Sequence, residues 1–310
     1  MRRGYRLLFV LGLLCSGCGA QAPLTTETDV VYGRAGDTDL LLDSYRPADD
    51  RVLPAVVFVH GGGWAAGSKA DYRDMAKGLA AQGYVCFSIN YRLVIAPPPG
   101  APAGTLAKNP WPAQLDDCQR AMRWVRAHAA QYKLDPARVG AFGGSAGGHL
   151  VACLATMDTR DNSDAQLAAF SSRATAAVDT CGPADFAAEF VPAGSKDEGW
   201  VTACVRNLLQ GKTDAEAPDL YREASPISHI DDKTAPLLIF HGKADTIVNV
   251  DQSVRFEAAL RRAGREVRLI TFDGEGHGFQ QKANVETFIK ESLAFLNRQL
   301  QPAPATRAAQ

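Results

Sequence analysis

The sequence predicts an α/β fold with a mostly parallel central sheet and helices on both faces. Three observations carry this. Apolar runs of strand length occur at 54–60, 84–91, 139–143, 174–179, 236–241 and 266–272, and runs that are apolar throughout suit strands buried on both faces, as parallel strands are. Stretches with helical spacing lie between them, such as 113–132, where Leu115, Cys118, Met122 and Val125 share one face. The alternation of the two is the βαβ pattern, whose crossovers make neighbouring strands parallel.

The elements follow in order along the 310 residues. Arg2, Arg3 and Arg6 precede an apolar stretch at 7–14, the cationic head and short greasy core of an export signal. It is too short to span a membrane as a permanent helix. Two ends compete: Ser16-Gly17-Cys18, a lipoprotein-type site that would lipidate Cys18 although Cys15 stands where leucine is usual, and Ala20-Gln21-Ala22, a simple cleavage site. An uncleaved anchor is the third reading. All three place the domain outside the cytoplasm, in the periplasm or at the outer-membrane or cell surface of a bacterium. The expected organisation is an export signal at 1–22, one domain at 23–300 and a disordered tail at 301–310.

A polar linker at 23–27 leads to an antiparallel hairpin of 29–32 and 38–45, joined around Gly33 and Gly36. The strand 54–60, a helix at 69–82 ended by Gly83 and the strand 84–91 begin the βαβ rhythm. Residues 93–112 carry six prolines, so they form a surface loop. The helix 113–132 feeds the strand 139–143 and the helix behind it. A polar connection, the strand 174–179 and a mixed segment at 183–233 follow, the last read as a small inserted cap. The strand 236–241, a helix at 251–263, the strand 266–272 and a helix at 285–300 complete the chain.

Composition excludes several classes. With 33 basic and 34 acidic residues the net charge is −1, which leaves no basic stripe for nucleic acid. Outside the signal, which holds Cys15-Ser16-Gly17-Cys18, no Cys-x-x-Cys or His-x-x-x-His spacing occurs, so no metal and no cofactor is expected. Of seven cysteines, Cys15 and Cys18 belong to the signal. Cys86 and Cys153 lie in apolar elements as buried thiols. Cys181 and Cys204 fall outside the regular core, and a disulfide between them, which an exported compartment permits, is the expectation that would pin the inserted segment, with two free thiols as the alternative.

The chemistry centres on Gly143-Gly144-Ser145-Ala146-Gly147 between a strand and a helix. Lifting a serine hydroxyl clear of a sheet edge needs so tight a reversal that the residues two before and two after nearly touch, and glycine alone tolerates that approach. Ser145 is the candidate nucleophile. Its base is His277, glycine-flanked just past the last strand, with His60 as the rival. The orienting carboxylate is Asp245, past another strand end, with Asp251 and Asp179 as alternatives. His60-Gly61-Gly62-Gly63-Trp64 follows a strand, and the backbone N–H groups of Gly61, Gly62 and Gly63 with that of Ala146 are the candidate oxyanion hole. The aromatics Trp64, Trp111, Phe186 and Trp200 are candidate walls of a substrate pocket suited to ring stacking.

These four motifs in this order resemble the α/β-hydrolase superfamily, and within it the hormone-sensitive-lipase-like esterases and the bacterial acetyl xylan and feruloyl esterase-like branch. One departure is Gly144, where lipase-like relatives commonly carry aspartate. The resemblance implies a serine carboxylesterase that hydrolyses small-acyl esters through an acyl-enzyme. Small-molecule or oligosaccharide esters are the expected substrates, carbohydrate O-acetyl esters among them. The alternatives are a lipid esterase, an amidase or peptidase of the same fold, and a non-catalytic binding module.

Overall fold

The computed structural model describes residues 23–301 apart from residue 103. The proposed signal, Cys18 and the tail from 302 onward lie outside the described residues. Among those described, eight strands form one sheet: β1 (Leu24–Ala35), β2 (Thr38–Pro47), β3 (Leu53–Val59), β4 (Val85–Ile89), β5 (Leu134–Gly144), β6 (Ala177–Thr180), β7 (Leu237–Gly242) and β8 (Val267–Phe272). Their order across the sheet is β1-β2-β4-β3-β5-β6-β7-β8. β2 runs antiparallel to both neighbours, and all pairs from β4 to β8 are parallel. The expected α/β class is the observed one.

β3 shows why the run at 54–60 has no polar alternation. Ala55, Val57 and Val59 pack in one cluster and Val56 and Phe58 in the other, all fully buried, because successive side chains of a strand point to opposite faces. One face is covered by α2 (Ala113–Ala127), α4 (Ala146–Thr156) and α7 (Asp251–Arg262), through residues such as Leu115, Leu150 and Phe256. The other is covered by α1 (Arg73–Ala80) and α8 (Lys282–Leu300), through Ala76, Phe288 and Phe295.

The structure differs from expectation at the amino-terminal edge. Residues read as a polar linker are the start of β1, with Leu24 opposite Pro47 and Thr25 opposite Arg46. An edge strand keeps polar side chains such as Thr26 and Glu27 in water, and irregular pairing after Glu27 and Val31 blurs its alternation further, so it escapes a search for apolar runs. The helix expected at 69–82 opens as a single 3₁₀ turn, Lys69–Tyr72, capped by the Ser68 side chain, before α1. The helix expected at 113–132 breaks at His128 into α2 and the short α3 (Ala129–Tyr132). The segment 183–233 contains α5 (Glu198–Leu208) and α6 (Pro218–Ala224).

This topology places the loops after β3, β5, β7 and β8 along the carboxyl edge of the sheet, where open parallel sheets bind ligands.

Candidate active site

Ser145 sits between β5 and α4 with φ 57° and ψ −123°, a conformation that non-glycine residues seldom adopt and that must be held by its surroundings. Two bonds hold it: its N–H donates to the Thr180 carbonyl at 2.7 Å, and its carbonyl accepts from the His149 N–H at 3.0 Å. The glycines act as the spacing demanded. A methyl group on Gly143 would lie 2.3 Å from the Gly147 carbonyl oxygen, and one on Gly147 would lie 2.0 Å from that of Val59. Neither site has room for a Cβ. At Gly144 the neighbour is the Tyr72 hydroxyl, 3.0 Å from a Cβ built there, so Tyr72 fills the space into which an aspartate side chain would begin.

His277 projects from the turn between β8 and α8. The buried Glu275 carboxylate shapes that turn by accepting the N–H groups of Gln280 and Gln281 and the Asn284 amide. His277 Nε2 lies 2.8 Å from Ser145 Oγ, and Nδ1 lies 2.7 Å from Asp245 Oδ2. The carboxylate is itself fixed, since Oδ1 accepts the N–H groups of Ile247 and Val248 at 2.8 and 3.0 Å. His241 Nε2 stands 3.2 Å from Oδ2 while donating to the Val248 carbonyl, and its Nδ1 meets the Ser253 hydroxyl at 2.7 Å. Burial alone would raise the Asp245 pKa, but hydrogen bonds from His241 and His277 and the charge of those imidazoles hold it well below the usual carboxylate range.

Neither alternative acid reaches His277. Asp251 opens α7 in solvent. Asp179 is buried on β6, where it accepts the Gly182 N–H at 2.9 Å and burial pushes its pKa up to about 7. The rival base His60 is buried scaffold: its ring stacks on Tyr91 with centroids 4.2 Å apart, and its Nδ1 faces the Gly61 carbonyl at 2.8 Å. The loop after it passes close to the serine. A methyl on Gly61 would lie 3.3 Å from Ser145 Cβ, and Gly62 and Gly63 have φ of 106° and 58°, which suits glycine. Ala146 is the first residue of α4, so its N–H is among the donors a helix leaves unpaired at its start.

Two sequence-based expectations fail here. Cys181 and Cys204 are free thiols, because their side chains face different surroundings. The Cys181 sulfur is buried within 4.8 Å of ligand atoms of His241 and Asp245, whereas the Cys204 sulfur, on α5, would lie 3.0 Å from a Cβ on Gly63. Of the five described thiols only Cys204 is part-exposed. Of these five, a thiol reagent should therefore label only Cys204 in the native protein and all of them after denaturation. Burial pushes the Cys204 pKa up to about 11, so native labelling should be slow at pH 7 and speed up as the pH rises. Peptide mass spectrometry reads both results, and a Cys181–Cys204 cross-linked peptide would contradict them.

The aromatic walls are the second. Trp64, Trp111 and Phe186 are 3%, 1% and 4% exposed and gather around His149, with centroids 5.4, 5.4 and 4.9 Å from its ring. Buried this far, the three rings leave a ligand little face to stack on. Trp200 is 54% exposed, and its ring edge would lie 3.3 Å from a Cβ on Gly63. It alone of the four stands open beside the oxyanion loop.

The BD-FAE family model matches residues 42–260, well over half of the chain, from within β2 to within α7. The chain belongs to the BD-FAE family. The match takes in the glycine loop, Ser145 and Asp245, while His277 lies beyond it and rests on the geometry above. Esterase relatives agree with this family. Esterase LipC of Mycobacterium tuberculosis is 32% identical over 256 residues, 81% of this chain and 59% of its own length. Esterase LipQ of the same organism is 31% identical over 267 residues, 84% of this chain and 59% of its own. The chain thus spans about three-fifths of these curated relatives. Among solved structures, Thermogutta terrifontis esterase 2 phosphorylated by paraoxon has a TM-score of 0.69 at 28% identity, covering 90% of this chain and 96% of that one. The same esterase with butyrate bound gives 0.69 at 28%, covering 92% and 97%. This BD-FAE chain therefore has the α/β-hydrolase fold.

Sequence reasoning missed the residues behind the triad. His241 ends an apolar strand and Glu275 sits two residues before the base, but neither has a spacing that sets it apart from ordinary polar residues at a strand end.

Proposed function

We propose that the protein is a serine carboxylesterase acting on short-acyl esters, and the observation that carries this is the hydrogen-bonded chain Ser145–His277–Asp245 beside a side-chain-free glycine loop. Asp245 keeps the hydrogen of the neutral imidazole on Nδ1, which leaves Nε2 free to accept. As Ser145 Oγ forms its bond to the ester carbon, its proton passes to His277 Nε2. The carbonyl π electrons move onto oxygen, and that oxyanion meets the N–H groups of the 61–63 loop and of Ala146, beside the positive end of α4. Collapse breaks the bond to the alcohol oxygen, which takes the proton from Nε2 and leaves. Water then attacks the acyl-enzyme, giving one proton to His277, and the carboxylic acid departs as that proton passes to Ser145 Oγ.

Supporting a short acyl group, α5 lays Cys204 and Trp200 over Gly63, and the similar Thermogutta esterase has been captured with butyrate and with propionate. A sugar-like alcohol, as in O-acetylated carbohydrate, rests on the exposed Trp200 ring, since aromatic faces suit sugar rings. Export through the signal at 1–22, with a lipid on Cys18, fits the direction of β1. That strand runs parallel to β3 and β4, so Leu24 lies at the edge of the sheet away from Ser145, and a tether there would turn the site outward from a membrane.

A series of acetyl, butyryl and octanoyl esters, with acetylated xylo-oligosaccharides alongside, tests the reading. Each methylene that finds a place to bury is worth ~0.8 kcal/mol, or roughly fourfold in kcat/KM. Efficiency should gain by about this factor per methylene only up to the length the pocket holds, then fall by octanoyl, and acetate should be released from the oligosaccharides. A steady rise to octanoyl without acetate release would make the protein a lipid esterase instead.

A further inference from the structure

His149 has no part in the catalytic constellation, yet both of its ring nitrogens have fixed partners. It lies on α4 one helical turn after Ser145 and is wholly buried. Its Nε2 is 2.7 Å from the Ala224 carbonyl, and its Nδ1 is 3.2 Å from the Trp64 indole nitrogen. A carbonyl can only accept and an indole N–H can only donate, so these partners fix the tautomer: Nε2 carries the hydrogen and Nδ1 is the acceptor. Burial pushes its pKa down to about 4, which keeps the ring in that neutral form at working pH.

The significance lies in what Trp64 ends. Gly62, Gly63 and Trp64 have φ of 106°, 58° and 59°, three consecutive residues in the left-handed half of backbone space. For glycine this costs little, but for a bulky residue such as tryptophan it is a strained state that surrounding contacts must hold. The Trp64 carbonyl is held by the Val94 N–H at 2.9 Å. The side chain is held by His149, whose helix also carries the nucleophile, and by Phe186, 5.7 Å from the indole between ring centroids, while Trp111 and Phe186 pack against the imidazole. Catalytic donors act by being in place before charge develops, and about 1 Å of misplacement can cost about 100-fold.

Resting on the esterase reading above, we infer that His149 is a positioning residue, which ties the oxyanion loop to the nucleophile helix through its hydrogen bond from Trp64. It touches no substrate. Its contribution should therefore appear in kcat, where oxyanion placement is felt, and hardly in KM.

The test compares His149→Phe, which keeps a ring without an acceptor, His149→Asn, which keeps a side-chain oxygen near the Nδ1 position, Trp64→Phe, which removes the donor together with part of the indole's volume, and the double His149→Phe/Trp64→Phe variant. Steady-state kinetics with an acetyl ester should show kcat about 10- to 100-fold lower for each Phe variant, with KM within about threefold. The double variant should be no worse than the weaker single, because one bond is lost only once, and His149→Asn should restore kcat to within about threefold of wild type. Amide hydrogen exchange over 61–66 should quicken in the Phe variants and return to the wild-type rate in His149→Asn. Losses that multiply in the double variant, an Asn variant as impaired as the Phe variant, or unchanged exchange over 61–66 would each overturn the inference. If the wild-type protein hydrolysed no ester, the esterase reading would fail, and the exchange data would decide the role of His149 on their own.

Discussion

Ser145→Ala should lower kcat by about 10³-fold or more, because removing a triad member leaves only binding and the oxyanion donors to act. The structure says why the loss should be chemical. The Ser145 hydroxyl has His277 as its hydrogen-bond partner, and the unusual backbone is held by the Thr180 carbonyl and the His149 N–H, neither of which needs the hydroxyl. The variant should keep the thermal midpoint of the wild type to within a few degrees. Paraoxon supplies a second readout, since the similar Thermogutta esterase has been captured phosphorylated by it. Wild-type protein should gain one diethylphosphoryl mass at the peptide holding Ser145, and the variant none. Turnover near the wild-type level would assign the nucleophile elsewhere.

The residues proposed for this chemistry were legible in the sequence because the glycines around them answer local backbone requirements. Gly143 is forced by the Gly147 carbonyl four residues on, and Gly62 and Gly63 by positive φ, so their identities show without knowledge of any distant neighbour; Gly147, pressed against the Val59 carbonyl, showed only through its spacing from Ser145. The buried strands were legible for the same reason, since burial on both faces is written into each of them. What escaped depends on parts of the chain far apart. Trp64, Trp111 and Phe186 meet at His149, and nothing local in an aromatic residue tells a packed ring from a stacking platform. Cys181 and Cys204 both lie in the irregular stretch, but Cys181, at φ 53°, turns in behind Asp245 while α5 carries Cys204 onto the glycine loop. Sequence placed the pair in one region, and side-chain direction separated them. The hairpin of 29–32 with 38–45 was legible, but the first residues of β1 escaped because an edge strand satisfies water on one side and so carries no apolar signal there.

Asp245→Asn should lower kcat by about 10⁴-fold while leaving the chain folded. The asparagine oxygen can keep the two N–H groups of Ile247 and Val248 that now bond to Oδ1, which turns the amide NH₂ toward His277 Nδ1. An NH₂ group only donates, so Nδ1 must become the acceptor and the imidazole hydrogen moves to Nε2. That hydrogen then faces Ser145 Oγ, and the base has no lone pair with which to take the serine proton. His241 loses its contact with Oδ2 but retains its bond to the Val248 carbonyl at 2.9 Å. Stability should show the charge as well. The folded-state pKa of Asp245 is depressed, so its ionisation stabilises the fold at pH values above the unfolded carboxylate value of about 3.9, and that contribution is lost as the pH falls below it. The gap in thermal midpoint between wild type and Asp245→Asn should therefore be widest near neutral pH and narrow as the pH is lowered below about 4. A kcat within tenfold of wild type would show that His277 takes its orientation from another group, and a gap that did not change with pH would show that the Asp245 charge does not support the fold.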